Sequence, residues 1–381
     1  MSSHLALTAV LGGLLALAAA IGIGRFVYTP ILPFMEEALQ LSKSEAGILA
    51  SANFLGYLLG ALGAAKAVLP GGRRAWFLIA LAASAMTTAA MGLTESLAGF
   101  LLLRFLGGGA SAFVLVFGSA LVLDRLAAAG RPGLSALHFA GVGTGIALSA
   151  LLVAGLSAGG GDWRALWLAS GAVSLLALLA VLRLVPDATD TAVPAAEAPS
   201  EGAGRRLIAL VLAYGLFGFG YVITATFIST LVRGTPEIRA LEMVVWLVVG
   251  LAAVPSVAFW IWVGRRLGND RSFALACLAE GLGVALSVLF DSAFAILAAA
   301  ALLGGTFMGI TALGLVNARA LSQGDPRRSI ALMTAAFGLG QMIGPSFAGY
   351  AYGFGESFLF PSLVASAALV IAAALSRNLL R

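Results

Sequence analysis

Twelve stretches of this sequence are apolar enough to be at home in hydrocarbon rather than water. They run over about 5–35, 44–68, 75–94, 97–123, 133–156, 164–185, 207–232, 240–263, 272–290, 293–318, 329–353 and 358–376. A helix crosses the ~30 Å core of a bilayer with about 20 such residues. Twelve crossings therefore take up roughly two thirds of the 381 residues and leave no room for a soluble domain. Charged side chains make up only 10% of the chain, against about 25% in a soluble domain, so they cannot cover the surface of a water-soluble globule. A cytosolic enzyme, a nucleic-acid binder and a disordered chain are excluded together. The short alternating segments of a membrane β-barrel are absent, which leaves helices.

The first stretch lacks Lys and Arg in its opening residues Met1–His4, is interrupted by Arg25 and has no cleavage site, so it reads as a retained helix rather than a signal peptide. The single cysteine, Cys277, has no disulfide partner. The net charge of +5 is spread too thinly for a basic patch, but its placement is informative. With the N-terminus inside, sixteen Lys and Arg side chains fall on the inner side, from Lys66, Arg73 and Arg74 to Arg377 and Arg381. Only Lys43, Arg164, Arg233 and Arg239 fall outside, and Arg25 and Arg104 remain within helices. That bias sets both termini in the cytoplasm.

The polar stretch from Pro186 to Arg206 reads as a cytoplasmic linker between two six-helix halves, 1–185 and 207–381. The halves repeat weakly. Leu106-Gly107-Gly108 recurs as Leu303-Gly304-Gly305, and Gly141-Val142-Gly143 as Gly338-Leu339-Gly340, both 197 residues later; Gly22-Ile23-Gly24 recurs as Gly218-Phe219-Gly220 after 196. Three matches at nearly one offset favour duplication.

Arg104 followed by Gly107, Gly108 and Gly109 resembles the fourth-helix motif of the major facilitator superfamily. Gly340-Gln341-Met342-Ile343-Gly344-Pro345 resembles its glycine/proline motif. Gly22-Ile23-Gly24-Arg25-Phe26-Val27-Tyr28-Thr29-Pro30-Ile31-Leu32-Pro33, followed by Ser51-Ala52-Asn53-Phe54-Leu55-Gly56-Tyr57-Leu58-Leu59-Gly60, is similar to the YbfB/YjiJ-type branch. One departure stands out: the loop between helices 2 and 3 carries Val68-Leu69-Pro70-Gly71 before Gly72-Arg73-Arg74, without the superfamily's Asp-Arg pair. The resemblance implies an all-α integral membrane protein of two pseudo-symmetric bundles. Its substrate site would lie near the midplane, lined by helices 1, 4, 7 and 10, in the bacterial inner membrane.

Charged groups at membrane depth are expensive and face a cavity or a partner. Arg25 lies about 15 Å from the outer end of helix 1 and Arg104 about 11 Å from the outer start of helix 4, so the two cations come to similar depth. A guanidinium presents a planar fork of donors suited to a carboxylate. Glu280 is the one carboxylate deep in a span, on the peripheral helix 9. Two Arg without a cavity carboxylate argue against a cationic drug or a proton–sugar symporter and for an anionic substrate. Tyr28, Asn53, Tyr57, Tyr221, Thr224, Trp246, Thr311, Asn317 and Gln341 complete the candidate contacts, with Tyr221 standing in the repeat where Arg25 stands. Arg104, His138 and Glu280 are the coupling candidates.

Metal-ligand spacing is absent, and Gly107-Gly108-Gly109 lacks the Lys-Ser/Thr of a phosphate loop. The expectation is a monomeric secondary transporter, not an enzyme, with no cofactor. It carries a small organic anion by alternating access within the lipid bilayer, coupled to a proton or a counter-anion. The alternative is an exporter of lipophilic or neutral compounds, favoured by 22 Phe.

Overall fold

The computed structural model describes residues 3–66, 72–185, 203–322 and 326–377. The Val68–Gly71 departure and most of the inter-half linker lie outside the described residues. Among the described residues, twelve helices are long and apolar enough to span a membrane: α1 (Ala6–Leu39), α2 (Lys43–Ala64), α3 (Gly72–Leu93), α4 (Leu97–Ala128), α5 (Pro132–Ala158), α6 (Trp163–Leu184), α7 (Gly204–Gly234), α8 (Arg239–Leu267), α9 (Asn269–Leu289), α10 (Ala293–Ala320), α11 (Arg328–Tyr352) and α12 (Leu359–Ser376). Their chain order puts α1's start and α12's end at one face, called here the linker end. The opposite face, where α1 finishes, is the Glu36 end.

The two halves pack alike. In the first, α1 lies along α5 and α6, α2 along α4, and α3 along α4 and α6. In the second, α7 lies along α11 and α12, α8 along α10, and α9 along α10 and α12. Glycine makes the tightest of these approaches possible, because a Cβ added at Gly108 would overlap the Asn53 carbonyl oxygen and one at Gly304 the Val249 carbonyl oxygen. Both members of that pair are displaced by 196 residues, the offset that relates Gly22 to Gly218. The structural equivalents are therefore Gly108 and Gly304, one residue away from the match at 197. The match of Gly141 to Gly338 is likewise corrected: Gly141 packs on Leu14 of α1 in its own half, whereas Gly338 faces Leu58 of α2 in the other.

α1 is broken where it passes the midplane. Ser3–Leu17 is α-helical, Ala18–Ile23 is a π-helix, and α-helix resumes at Tyr28–Leu39. The cause is local. Pro30 has no N–H to give the Phe26 carbonyl, so the Thr29 N–H donates there at 3.2 Å and the Arg25 carbonyl loses its helical donor. In hydrocarbon a free carbonyl needs another partner, and Arg104 Nη1 of α4 donates to it at 3.4 Å.

The halves meet along α2 with α11, α5 with α8 and α1 with α7. Ser346 donates its backbone N–H to Ser51 Oγ, and the two hydroxyls are 2.7 Å apart. Thr29 Oγ1 donates to the Ala225 carbonyl at 2.7 Å, and Trp246 Nε1 donates to Ser149 Oγ at 3.3 Å.

Candidate functional site

Arg25 sits at the break in α1 with 5% of its surface exposed. Its guanidinium carbon lies 4.2 Å from the Tyr57 ring centre, 4.6 Å from Phe54 and 5.3 Å from Phe26. Across the half-to-half boundary it is close enough to Tyr221 to interact electrostatically. Nε and Nη2 are buried and have no hydrogen-bond partner among the described residues. Those two nitrogens form one edge of the guanidinium, the edge whose two N–H bonds run parallel. Rings stabilise the cation through their π faces but leave that fork unfilled. A carboxylate's two oxygens match it.

Arg104 is held differently. Besides the Arg25 carbonyl it donates through Nε to the Leu49 carbonyl at 3.4 Å, and it lies 4.5 Å from the Tyr28 ring centre. Tyr28 in turn donates to the Ala46 carbonyl at 2.8 Å, and Asn53 Nδ2 donates to the Arg104 carbonyl at 2.9 Å. Arg104, Tyr28 and Asn53 thus tie α1, α2 and α4 together behind Arg25.

From the second half, Tyr221 faces the site as the middle ring of a parallel stack. Phe337 lies 5.9 Å away at 2° between planes, and Phe307 5.8 Å away at 8°. Gln341 donates to the Tyr221 hydroxyl, while its own Oε1 has no donor among the described residues. Phe26 closes the circle, touching Phe307 at 6.1 Å and Trp246 at 6.4 Å. Tyr57, Tyr221, Trp246 and Gln341 therefore gather with Arg25. Phe26, Phe54, Phe307 and Phe337 belong to the same cluster. Sequence reasoning passed over them because a Phe in a membrane helix is ordinary, although Phe26 beside Arg25 and Phe54 beside Asn53 were the available signal.

The other candidates lie elsewhere. Thr224, one turn from Tyr221 on α7, lines a small void with Ser287 and Ser362. Thr311 donates to its own helix at Phe307. Asn317 is buried on α10, about 15 Å along the helix from Phe307 toward the linker end. His138 is fully buried against Gly13 of α1, with Nε2 3.2 Å from Ser119 Oγ. Glu280 is fully buried beside Thr306, whose hydroxyl donates to the Leu302 carbonyl, so neither Glu280 oxygen receives a hydrogen bond among the described residues.

At the Glu36 end, a charge network missed in the sequence joins the halves. Arg233 of α7 holds Glu242 of α8 through Nε and Nη2, both at 2.8 Å, reaches Glu37 of α1 at 3.3 Å, and lies 3.9 Å from the Phe34 ring centre. Glu36 pairs with Lys43 at 2.8 Å and accepts from Thr230 of α7 at 3.1 Å.

Two pseudo-symmetric six-helix bundles meeting over a buried site define a membrane transporter of the major facilitator type. Residues 17–377 match the family described as "Uncharacterised MFS-type transporter YbfB", and the chain belongs to that family. A Bacillus subtilis (strain 168) protein, "Uncharacterized MFS-type transporter YceJ", is 26% identical over 352 residues, 87% of this chain and 86% of its own. Among solved structures, a variant of the nucleoside transporter NupG superposes with a TM-score of 0.75 at 16% identity, covering 99% of this chain and all of that one. A bacterial homolog of the human lysosomal transporter Spinster, inward-facing and occupied, gives 0.73 at 16% identity over 100% and 97%. At these identities the two structures speak for the fold alone.

Proposed function

We propose that this transporter carries a small organic anion, a carboxylate, across the bacterial inner membrane by alternating access, with both termini in the cytoplasm. The observation that carries the reading is Arg25: a guanidinium buried among rings, with its parallel N–H pair unfilled and no acidic partner among the described residues. A buried cation is costly unless paired, and a substrate that supplies the missing charge recovers that cost only when bound. The Lys and Arg bias sets the Glu36 end outside, so the contacts joining the halves there favour a state closed to the exterior. Arg104, His138 and Glu280 are the groups through which a proton or counter-anion would couple.

Purified protein in liposomes should take up radiolabelled carboxylates, and Arg25→Ala should weaken their binding at least about tenfold. Wild-type uptake by Arg25→Ala would refute the assignment. The second reading, an exporter of lipophilic or neutral compounds, is favoured by the ring cluster. The name of the NupG relative, a nucleoside transporter, is consistent with an uncharged ligand. Tighter binding of a lipophilic amine than of any carboxylate would establish it instead.

A further inference from the structure

We infer that the anion is a conjugated ring carboxylate, an arene acid rather than an aliphatic one; this deepens the carboxylate reading and rests on it. A carboxylate that fills both N–H bonds of the Nε/Nη2 edge lies in the plane of the guanidinium. When that carboxylate is conjugated to a ring, the ring lies in the same plane and extends it. Tyr57 and Phe54 already lie 4.2 and 4.6 Å from the guanidinium carbon, so a ring carried by the bound carboxylate meets aromatic neighbours. On the other half, Phe337, Tyr221 and Phe307 share nearly one ring orientation, with interplanar angles of 2° and 8°. Phe26 ties Phe307 to the Arg25 side at 6.1 Å. Three aromatic rings lie within 5.3 Å of the Arg25 guanidinium carbon, and flat rings gain from ring neighbours beyond their area burial. A saturated ring of the same width has no π system and cannot lie flat along these walls. An aliphatic chain leaves most of the ring surface uncovered.

The test uses full-length protein in detergent or nanodiscs, with binding of benzoate, cyclohexanecarboxylate, propionate and benzamide measured by calorimetry or thermal shift. Benzoate should bind about tenfold tighter than cyclohexanecarboxylate and more so than propionate, and benzamide should fail to compete. Phe307→Leu should reduce the preference for benzoate over cyclohexanecarboxylate to less than about threefold while cyclohexanecarboxylate still binds, which also shows that the variant is folded. Cyclohexanecarboxylate or propionate binding as tightly as benzoate overturns the ring inference and leaves the carboxylate reading standing. Benzamide binding as tightly as benzoate, or no binding by any of the three acids, overturns the carboxylate reading and this inference with it.

Discussion

Arg25 and Arg104 are one guanidinium each, buried to the same degree and near one depth, yet their surroundings assign them opposite tasks. Arg104 spends its donors on the Leu49 and Arg25 carbonyls, so it stabilises the apo protein. Arg25 has rings around it and an empty fork, so it costs the apo protein stability. Arg104→Leu should therefore lower the apo melting temperature, by about 1–3 kcal/mol of stability for the carbonyls left unpaired. Arg25→Leu should leave the apo melting temperature unchanged or raise it, while abolishing the further rise that a bound carboxylate gives. Differential scanning fluorimetry on the two variants, with and without ligand, separates these outcomes. From the sequence both cations were candidate substrate contacts, and only the resemblance marked Arg104 as a coupling candidate as well. Depth follows from counting along a helix, but which of them finds carbonyls depends on a neighbouring helix having lost a hydrogen bond.

That lost bond belongs to α1. The Pro30 ring removes one donor, Thr29 shifts by one acceptor, and the Arg25 carbonyl turns to α4. Replacing Pro30 with Ala restores the donor and lets Thr29 return to the Arg25 carbonyl, so Arg104 loses its acceptor. Transport should fall several-fold, with the melting temperature nearly unchanged, because a healed helix offsets the broken inter-helix bond. The close helix pairs make a second expectation. Gly108→Val and Gly304→Val put side chains into the Asn53 and Val249 carbonyls respectively, and each should destabilise by about 1–3 kcal/mol or more, to a similar degree in the two halves. Spans, their order and the duplication were legible in the chain because hydropathy and glycine spacing are local properties. The offset came out one residue high in α4 and α10 because runs of glycine align equally well in several registers, and only the facing carbonyl tells them apart. The break in α1 was not legible, since Pro30 alone does not say which carbonyl is freed or what replaces its donor.

The two bundles pack most extensively along three helix pairs, and the named links between them differ in kind. Ser51 with Ser346 is a small polar contact between α2 and α11, while Arg233 with Glu37 and Thr230 with Glu36 are the polar side-chain links at the Glu36 end. Cysteines at positions 51 and 346 should form a disulfide under mild oxidation and stop turnover, with reductant restoring it; Cys277 is fully buried and remains a silent background. Arg233→Ala should loosen the Glu36 end and speed labelling of a cysteine at position 51 by a membrane-impermeant maleimide several-fold, since the variant leaves Glu242 and Glu37 without their cation. Unchanged labelling would mean that the α2–α11 and α5–α8 contacts hold that end closed by themselves.

The empty fork on Arg25 also has an electrical meaning. When access to the site switches from one face of the bilayer to the other, an unoccupied carrier moves a positive charge relative to the membrane field, worth up to about 2.3 kcal/mol per 100 mV. A bound monoanion cancels the Arg25 charge and removes its share of that work, while the Arg104 cation stays the same in both states. Membrane voltage then acts more strongly on the return of the empty protein than on the loaded one, so the resting potential bears on the pace of turnover.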